Sequence, residues 1–121
     1  MMKREEITVK WDGMTARERD AWVALRIMNQ FVVGGNVVRD ECGFYPVPHY
    51  STDISAAWPI MERYWSVELA RLPGVVDMYG ARINDSEGQV RAMTQKQTAP
   101  EALCLAALIV ELTEDSADVA V

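Results

Sequence analysis

The sequence predicts an α+β fold, in which helices pack on an antiparallel sheet. The first observation is a pair of capping boxes, Thr15 with Glu18 and Thr98 with Glu101, each of which opens a segment with apolar residues at helical spacing. The second is a pair of apolar runs, residues 75–83 and 89–96, on either side of a polar stretch that contains glycine. This pattern is typical of a β-hairpin, which we place in the C-terminal half of the chain.

The size and composition of the chain indicate one globular domain. Its 121 residues are 50% hydrophobic and 25% charged, with a formal net charge of -6. We expect the domain to span residues 1–112 and residues 113–121 to form a flexible acidic tail. The negative charge argues against general nucleic-acid binding and against anionic membranes, because both attract basic surfaces.

The N-terminal half is predicted to contain a short strand, a helix and a long loop. Ile7, Val9 and Trp11 alternate with polar residues, as in a strand with one apolar face. The first capping box predicts a helix over residues 16–31. Residues 37–48 give mixed signals, and their two prolines exclude a central strand position. We therefore expect a long connection there, and binding residues often lie in such loops.

Two further helices are predicted, which makes three main helices in all. The second begins at Ser51 or Asp53 and runs through Leu69, with a kink or a late start imposed by Pro59. The last helix is apolar nearly all round over residues 102–112. Either the fold buries that helix completely, or a second subunit covers part of it.

No metal site, cofactor site or membrane span is recognisable in the sequence. Cys42 and Cys104 are far apart and His49 is the only histidine, so no zinc-ligand spacing occurs. No phosphate-binding loop or dinucleotide fingerprint is present, and no apolar run is long enough to cross a bilayer. Because no export signal opens the chain, we expect reduced thiols in a cytosol.

His49, Ser51 and Asp53 include the residue types of a hydrolytic triad. Their closeness in sequence argues against a triad, since each group must be held so that it points at the next. No glycine-rich nucleophile elbow is present. Capping of a helix start by Ser51, Thr52 or Asp53 explains these residues better, so we predict that the protein is not an enzyme.

The same stretch has features of a ligand site. Tyr45 and Tyr50 flank a proline-containing loop, beside helix-start amides that favour an anion, and Arg39 is close by in sequence. Aromatic faces, amides and an arginine suit a small phosphorylated ligand that contains a base. The predicted ligand-binding residues are Arg39, Tyr45, His49, Tyr50, Ser51, Thr52, Asp53 and Trp58.

Three blocks of the sequence resemble the phage ABA sandwich domain, a family of small bacteriophage and prophage proteins. Residues 20–28 read DAWVALRIM and are similar to its first helix, residues 50–58 read YSTDISAAW and match its most characteristic motif, and residues 98–108 resemble its final helix. Asn29 stands where a glycine usually ends the first helix. The resemblance implies an α/β/α sandwich, with the sheet packed between helices, and a phage origin. It names no catalytic residue.

Together these features predict a phage-encoded, non-catalytic binding protein in the host bacterial cytoplasm. The leading hypothesis is an anti-defence protein that sequesters a nucleotide-type immune signal, such as a cyclic nucleotide or a molecule like cyclic ADP-ribose. Such a sequestrant is expected to be a homo-oligomer, assembled through the apolar C-terminal helix. The alternatives are an acidic inhibitor of a host nuclease or defence complex and an accessory protein of the virion or its assembly.

Overall fold

The computed structural model describes residues 2–74 and 76–119, with side chains as far as residue 113. The described chain forms four helices and two three-stranded antiparallel sheets. The elements are α1 (Arg4–Asp12), α2 (Ala16–Arg26), β1 (Phe31–Val33), β2 (Val37–Asp40), β3 (Gly43–Pro46), α3 (Ile54–Met61), β4 (Ser66–Leu72), β5 (Met78–Asn84), β6 (Val90–Lys96) and α4 (Ala99–Val119). The α+β prediction is confirmed, with four helices instead of three. We call β1–β3 the first sheet and β4–β6 the second.

Helix α1 replaces the strand predicted for the first segment. Ile7 and Trp11 are fully buried, whereas Val9 is 71% exposed. Residues four apart lie on the same face of a helix, so the spacing of Ile7 and Trp11 suits a helix as well as a strand. Helix α1 packs against α4 and also meets α2, where the Lys10 ammonium lies 4.6 Å from the centroid of the Trp22 ring. Tertiary packing therefore decided an ambiguous pattern.

Helix α2 begins at the predicted capping box and ends five residues earlier than predicted. The amide of Glu18 donates to the Thr15 hydroxyl over 3.2 Å, and the amide of Thr15 donates to the Glu18 carboxylate over 2.9 Å. The helix ends at Arg26, and Asn29 adopts a left-handed φ of 54°. Asparagine and glycine both tolerate that conformation, which reverses the chain after a helix. Phe31 then opens β1.

The predicted long loop is wrong, because residues 37–46 form two strands of the first sheet. Gly34 and Gly35, with φ of 62° and 77°, make the turn between β1 and β2. Strand β2 pairs with both neighbours, so β3 is an edge strand and Pro46 can close it without breaking the ladder. As expected, Pro46 does not lie in a central strand, but its presence did not exclude an edge strand.

Helix α3 is shorter than predicted, and its expected second half is a strand. The carboxylate of Asp53 caps α3 by accepting from the amide of Ser55 over 2.9 Å. The helix contains Pro59 and ends at Met61, after which Ser66–Leu72 pairs along its whole length with β5. Residues 66–69, predicted as helix, form a strand because β4 makes seven ladder pairs with β5.

The β5–β6 hairpin and the last helix are confirmed. Residues 102–110 of α4 are all at least 96% buried, since α4 lies between the second sheet on one side and α1, α2 and α3 on the other. Of the two explanations for this apolar helix, burial within the fold is therefore the one observed. Helix α4 runs to Val119 and so continues past residue 112, where the acidic tail was predicted to begin. The flexibility of residues 113–121 stays a prediction.

Candidate functional site

The structure divides the eight predicted ligand-binding residues among different environments. Tyr50 and Ser51 are buried, with 3% and 1% of their surfaces exposed, and Tyr45 is half-buried. The remaining five are exposed, namely Arg39 on β2, His49, Thr52 and Asp53 before α3, and Trp58 within α3. The structure brings His49 and Ser51 together around Asp20, which the sequence analysis did not single out as a site residue.

Asp20 is a buried carboxylate that fixes the start of the His49–Asp53 turn to α2. Its Oδ1 atom accepts from the amide of Ser51 over 2.8 Å and from the Ser51 hydroxyl over 2.7 Å. Its Oδ2 atom lies 3.6 Å from Nδ1 of His49, whose side chain is 66% exposed. A carboxylate that is 3% exposed needs such donors to offset the loss of water. We call these three residues the Asp20 cluster.

The geometry of the Asp20 cluster differs from that of a hydrolytic triad. In a triad the histidine lies between the hydroxyl and the carboxylate, so that it can take the proton of the nucleophile. Here the carboxylate is central, and the Ser51 hydroxyl donates to it. The depression beside Asp20 and His49 has a volume of about 10 Å³, which is room for about one water molecule. The third predicted member, Asp53, caps α3 instead. The arrangement therefore anchors a loop.

Tyr50 and Tyr45 also have structural partners. The Tyr50 hydroxyl donates to the Gln30 side-chain carbonyl over 3.0 Å, and the Gln30 amide group donates to the Tyr45 hydroxyl over 3.4 Å. Burial raises the pKa of Tyr50, and loss of water together with the nearby Asp40 carboxylate raises the pKa of Tyr45. These hydrogen bonds join Gln30, after α2, to Tyr45 of β3 and to Tyr50 before α3. Because Tyr50 is 3% exposed, it does not present the open ring face that was predicted.

An exposed aromatic surface lies instead on the outer side of the first sheet. Phe31 of β1 pairs with Arg39 of β2, and Arg39 pairs in turn with Phe44 of β3, so the three side chains form one row across the sheet. Phe31 and Phe44 are 63% and 69% exposed. We call this row, together with Val33 beside it, the outer face of the first sheet. The opposite side of the sheet carries Val38, which is fully buried.

Arg39 is the polar centre of this face. Its guanidinium carbon lies 5.9 Å from the centroid of the Phe31 ring, and it forms no ion pair with any residue in the described part of the chain. Asp40 is engaged in the adjoining turn, where it accepts from the Cys42 amide over 2.8 Å. An unpaired cation between two exposed rings can hold an anionic group while the rings stack on a planar one.

The sequence analysis included Arg39 but missed Phe31 and Phe44. Phe31 was assigned to the end of a helix, and Phe44 to a loop. The signal that was available is the glycine pair 34–35 between two apolar runs, which is a hairpin pattern. Read as a hairpin, it would have paired β1 with β2 and set Phe31 opposite Arg39.

Residues 2–74 and 76–119 carry neither a cluster of metal ligands nor a membrane-spanning helix. No group of three or more histidine, cysteine, aspartate or glutamate side chains is placed to hold a metal ion among the residues that the structure describes. Over the same described residues, no helix has the length and apolar character needed to cross a bilayer.

Comparison with known proteins identifies the family. The profile of the phage ABA sandwich domain matches residues 21–108, from α2 into α4, and so includes both sheets. The fold is similar to a 2.0 Å crystal structure of a phage protein from Bacillus cereus ATCC 14579, with a TM-score of 0.68 and 23% identity over 79% of this chain and 86% of that chain. No significant match was found among curated proteins. The profile match covers well over half of the sequence, and this chain therefore belongs to the phage ABA sandwich domain family.

Proposed function

We propose that this protein is a non-catalytic binding protein that captures a nucleotide-type ligand on the outer face of the first sheet. The observation that carries the proposal is the row Phe31–Arg39–Phe44, in which a guanidinium without an ion pair among the described residues lies between two exposed phenyl rings. Isolated exposed apolar residues are common on protein surfaces, but two rings in register with one arginine form a contiguous binding surface.

The chemistry of this face selects the class of ligand. The rings stack on planar bases, and the guanidinium binds phosphate through charge-assisted hydrogen bonds. The ligand we expect therefore combines at least one base with a phosphate, as cyclic nucleotides and cyclic ADP-ribose isomers do. Sequestration of such a molecule as a host immune signal is the biological role that the sequence analysis predicted, and it would place the protein in the host cytoplasm.

Simple energetics limit what one copy of the face can do. Stacking contributes roughly 1–3 kcal/mol per base, and a hydrogen bond to a charged group about 1.5–3 kcal/mol. Two rings and one guanidinium give on the order of 4–9 kcal/mol before the cost of association is subtracted. Nanomolar capture requires about 12 kcal/mol. One face alone is therefore expected to bind in the micromolar range or more weakly, and tight sequestration requires faces from several copies.

Isothermal titration against a panel of cyclic oligonucleotides and cyclic ADP-ribose isomers tests the proposal. We expect heat of binding with at least one ligand, and an affinity loss of at least about tenfold in Arg39→Ala and in Phe44→Ala. Arg63→Ala, which removes an exposed arginine outside the first sheet, is the matched control and should leave the affinity unchanged. Absence of heat with every ligand, or equal losses in Arg39→Ala and Arg63→Ala, would refute the proposal.

A protein-binding role is the second candidate, and the shape of the same face favours it. The depression lined by Phe31, Arg39, Asp40 and Glu41 is shallow, whereas small-molecule sites usually enclose most of the ligand. Phenylalanine and arginine are enriched in protein interfaces. A pull-down from host lysate with wild type and Phe44→Ala separates the two roles. A stable protein partner lost in the variant supports an inhibitor of a host protein, and a retained small molecule supports sequestration.

A further inference from the structure

The second sheet has one covered face and one open face. Ala81, Ile83 and Ala92 point towards α4 and are at most 1% exposed. The residues that alternate with them point the other way, and they include Ala70, Gly80, Arg82 and Met93, the last of which is 55% exposed. No helix in the described part of the chain covers this open face as α4 covers the opposite one.

A shallow apolar trough crosses this open face. Ala70 of β4 pairs with Gly80 of β5, so the middle of the open face carries almost no side-chain atoms. Leu72 borders the trough on one side, close enough that a Cβ atom on Gly80 would lie 3.4 Å from its Cδ1 atom. Met93 lies beside the other border, and the trough has a volume of about 250 Å³. An apolar surface of this kind gains free energy when it is covered.

An ion pair between Arg82 and Glu68 lies beside the trough, and its two charges are opposite and equal. The Arg82 guanidinium donates from Nε to Oε2 of Glu68 over 2.6 Å, in a cross-strand pair whose side chains are 44% and 52% exposed. The Arg82 and Asn84 side chains donate hydrogen bonds to the Glu68 carboxylate and hold its pKa below the usual range. The face thus carries one positive and one negative group next to an apolar centre.

We infer that the open face of the second sheet, formed by Ala70, Leu72, Gly80 and Met93 with Glu68 and Arg82, docks a second copy of this chain about a two-fold axis. A two-fold axis that lies in the face, parallel to the strands and between β4 and β5, would place Glu68 of each copy opposite Arg82 of the other. About such an axis the face is complementary to itself in charge.

The size of the face sets the strength of the dimer. Three strands of seven residues cover roughly 24 Å by 14 Å, an area of about 340 Å². This area is well below the roughly 800 Å² per partner that stable complexes bury. The sheets would pack face to face about 10 Å apart, through side chains from both copies. We therefore expect a reversible dimer with a dissociation constant in the micromolar range. This inference does not depend on nucleotide binding.

Sedimentation equilibrium of the full chain tests it. Wild type should shift from monomer to dimer as its concentration rises from about 5 to about 500 µM, a range chosen to span micromolar dissociation. Glu68→Arg and Arg82→Glu each place like charges opposite one another in the dimer, and each should raise the dissociation constant at least about tenfold. Asp77→Arg, which breaks the exposed Arg71–Asp77 pair at the edge of the same sheet, should leave the dimer intact.

Mixing the two variants gives the decisive result. Each copy of Glu68→Arg then faces a copy of Arg82→Glu, so both intermolecular contacts pair opposite charges and a heterodimer should form. Misfolding of either variant cannot produce this recovery, and circular dichroism checks that both are folded. A wild type that stays monomeric at about 500 µM overturns the inference. So does a dimer that both single variants leave unchanged, or a mixture that fails to associate.

Discussion

The Ser51 hydroxyl lies 2.7 Å from Oδ1 of Asp20, a carboxylate 31 positions earlier in the sequence and only 3% exposed. The same oxygen accepts from the amide of Ser51, so two donors of one residue meet one acceptor. This contact fixes the turn that leads into α3 against α2. It also explains why a serine, a histidine and a carboxylate lie together without the geometry of a catalytic relay.

Removal of the Asp20 carboxylate should destabilise the fold. Asp20→Ala leaves the buried amide of Ser51 without its acceptor, and the Ser51 hydroxyl keeps only the Ala16 carbonyl at 3.4 Å. An unsatisfied buried group costs about 1–3 kcal/mol. The free energy of unfolding, measured with urea, should fall by about 2–4 kcal/mol. Thr52→Ala, at an exposed position in the same turn, should change it by less than about 0.5 kcal/mol. Equal stability of wild type and Asp20→Ala would show that the cluster does not anchor the turn.

The two sides of the first sheet should respond differently to truncation. Val38 is fully buried, so Val38→Ala leaves a cavity and should cost about 2 kcal/mol of stability. Phe44 is 69% exposed, and Phe44→Ala should change stability by less than about 0.5 kcal/mol although it removes a larger side chain. Thermal denaturation of both variants is the measurement. A large loss in Phe44→Ala would indicate that its ring is part of the packing and not a surface kept for binding.

The left-handed conformation of Asn29 predicts an asymmetric response to substitution. Asn29→Ala places a Cβ-bearing residue with no compensating polar group at a φ of 54° and should cost about 1 kcal/mol. Asn29→Gly relieves the same strain and should be neutral within about 0.5 kcal/mol or stabilising, since glycine is the usual residue after a helix. Urea titrations of both variants give the comparison. If Asn29→Ala were more stable than Asn29→Gly, the left-handed conformation of residue 29 would be contradicted.

Stability should fall at alkaline pH because of Cys104. Burial raises the pKa of this thiol, whose hydrogen is donated to the carbonyl of Tyr50 over 3.2 Å. The unfolded chain loses the thiol proton above about pH 8.5, while the folded chain keeps it. The unfolded state then binds fewer protons, so the free energy of unfolding drops by up to about 1.4 kcal/mol for each further pH unit.

Urea titrations between pH 7 and about 9 test this slope, because tyrosine ionises mainly above this range. Cys104→Ser keeps a hydrogen-bond donor but does not ionise there, and it should show a flatter profile than wild type. Cys42→Ser is the control, because Cys42 is exposed in the folded chain and its removal should leave the slope as it was. A wild-type profile that stays flat to about pH 9 would contradict the prediction.

Local signals in the sequence were sufficient where an element is defined by neighbouring residues. Thr15 and Glu18 predicted the start of α2, and Thr98 the start of α4, because the amides at a helix start are satisfied by side chains within one turn. The polar stretch 84–88 predicted the hairpin because a tight turn is also defined by neighbouring residues. Gly88 has the positive φ of 81° that such a turn uses. The family motif was equally local.

Tertiary structure decided the features that depend on distant partners. Ile7 and Trp11 suit a helix or a strand equally well until α4 is in place, and Ser66–Leu72 becomes a strand only because β5 pairs with it. Asp20 could not be connected with Ser51 from sequence, and the row Phe31–Arg39–Phe44 exists only once three strands are in register. The sequence by itself therefore determined the fold class, the family and the starts of α2 and α4. The structure determined which side chains are buried together and which remain exposed to bind, because long-range burial and strand pairing are not encoded in any single stretch.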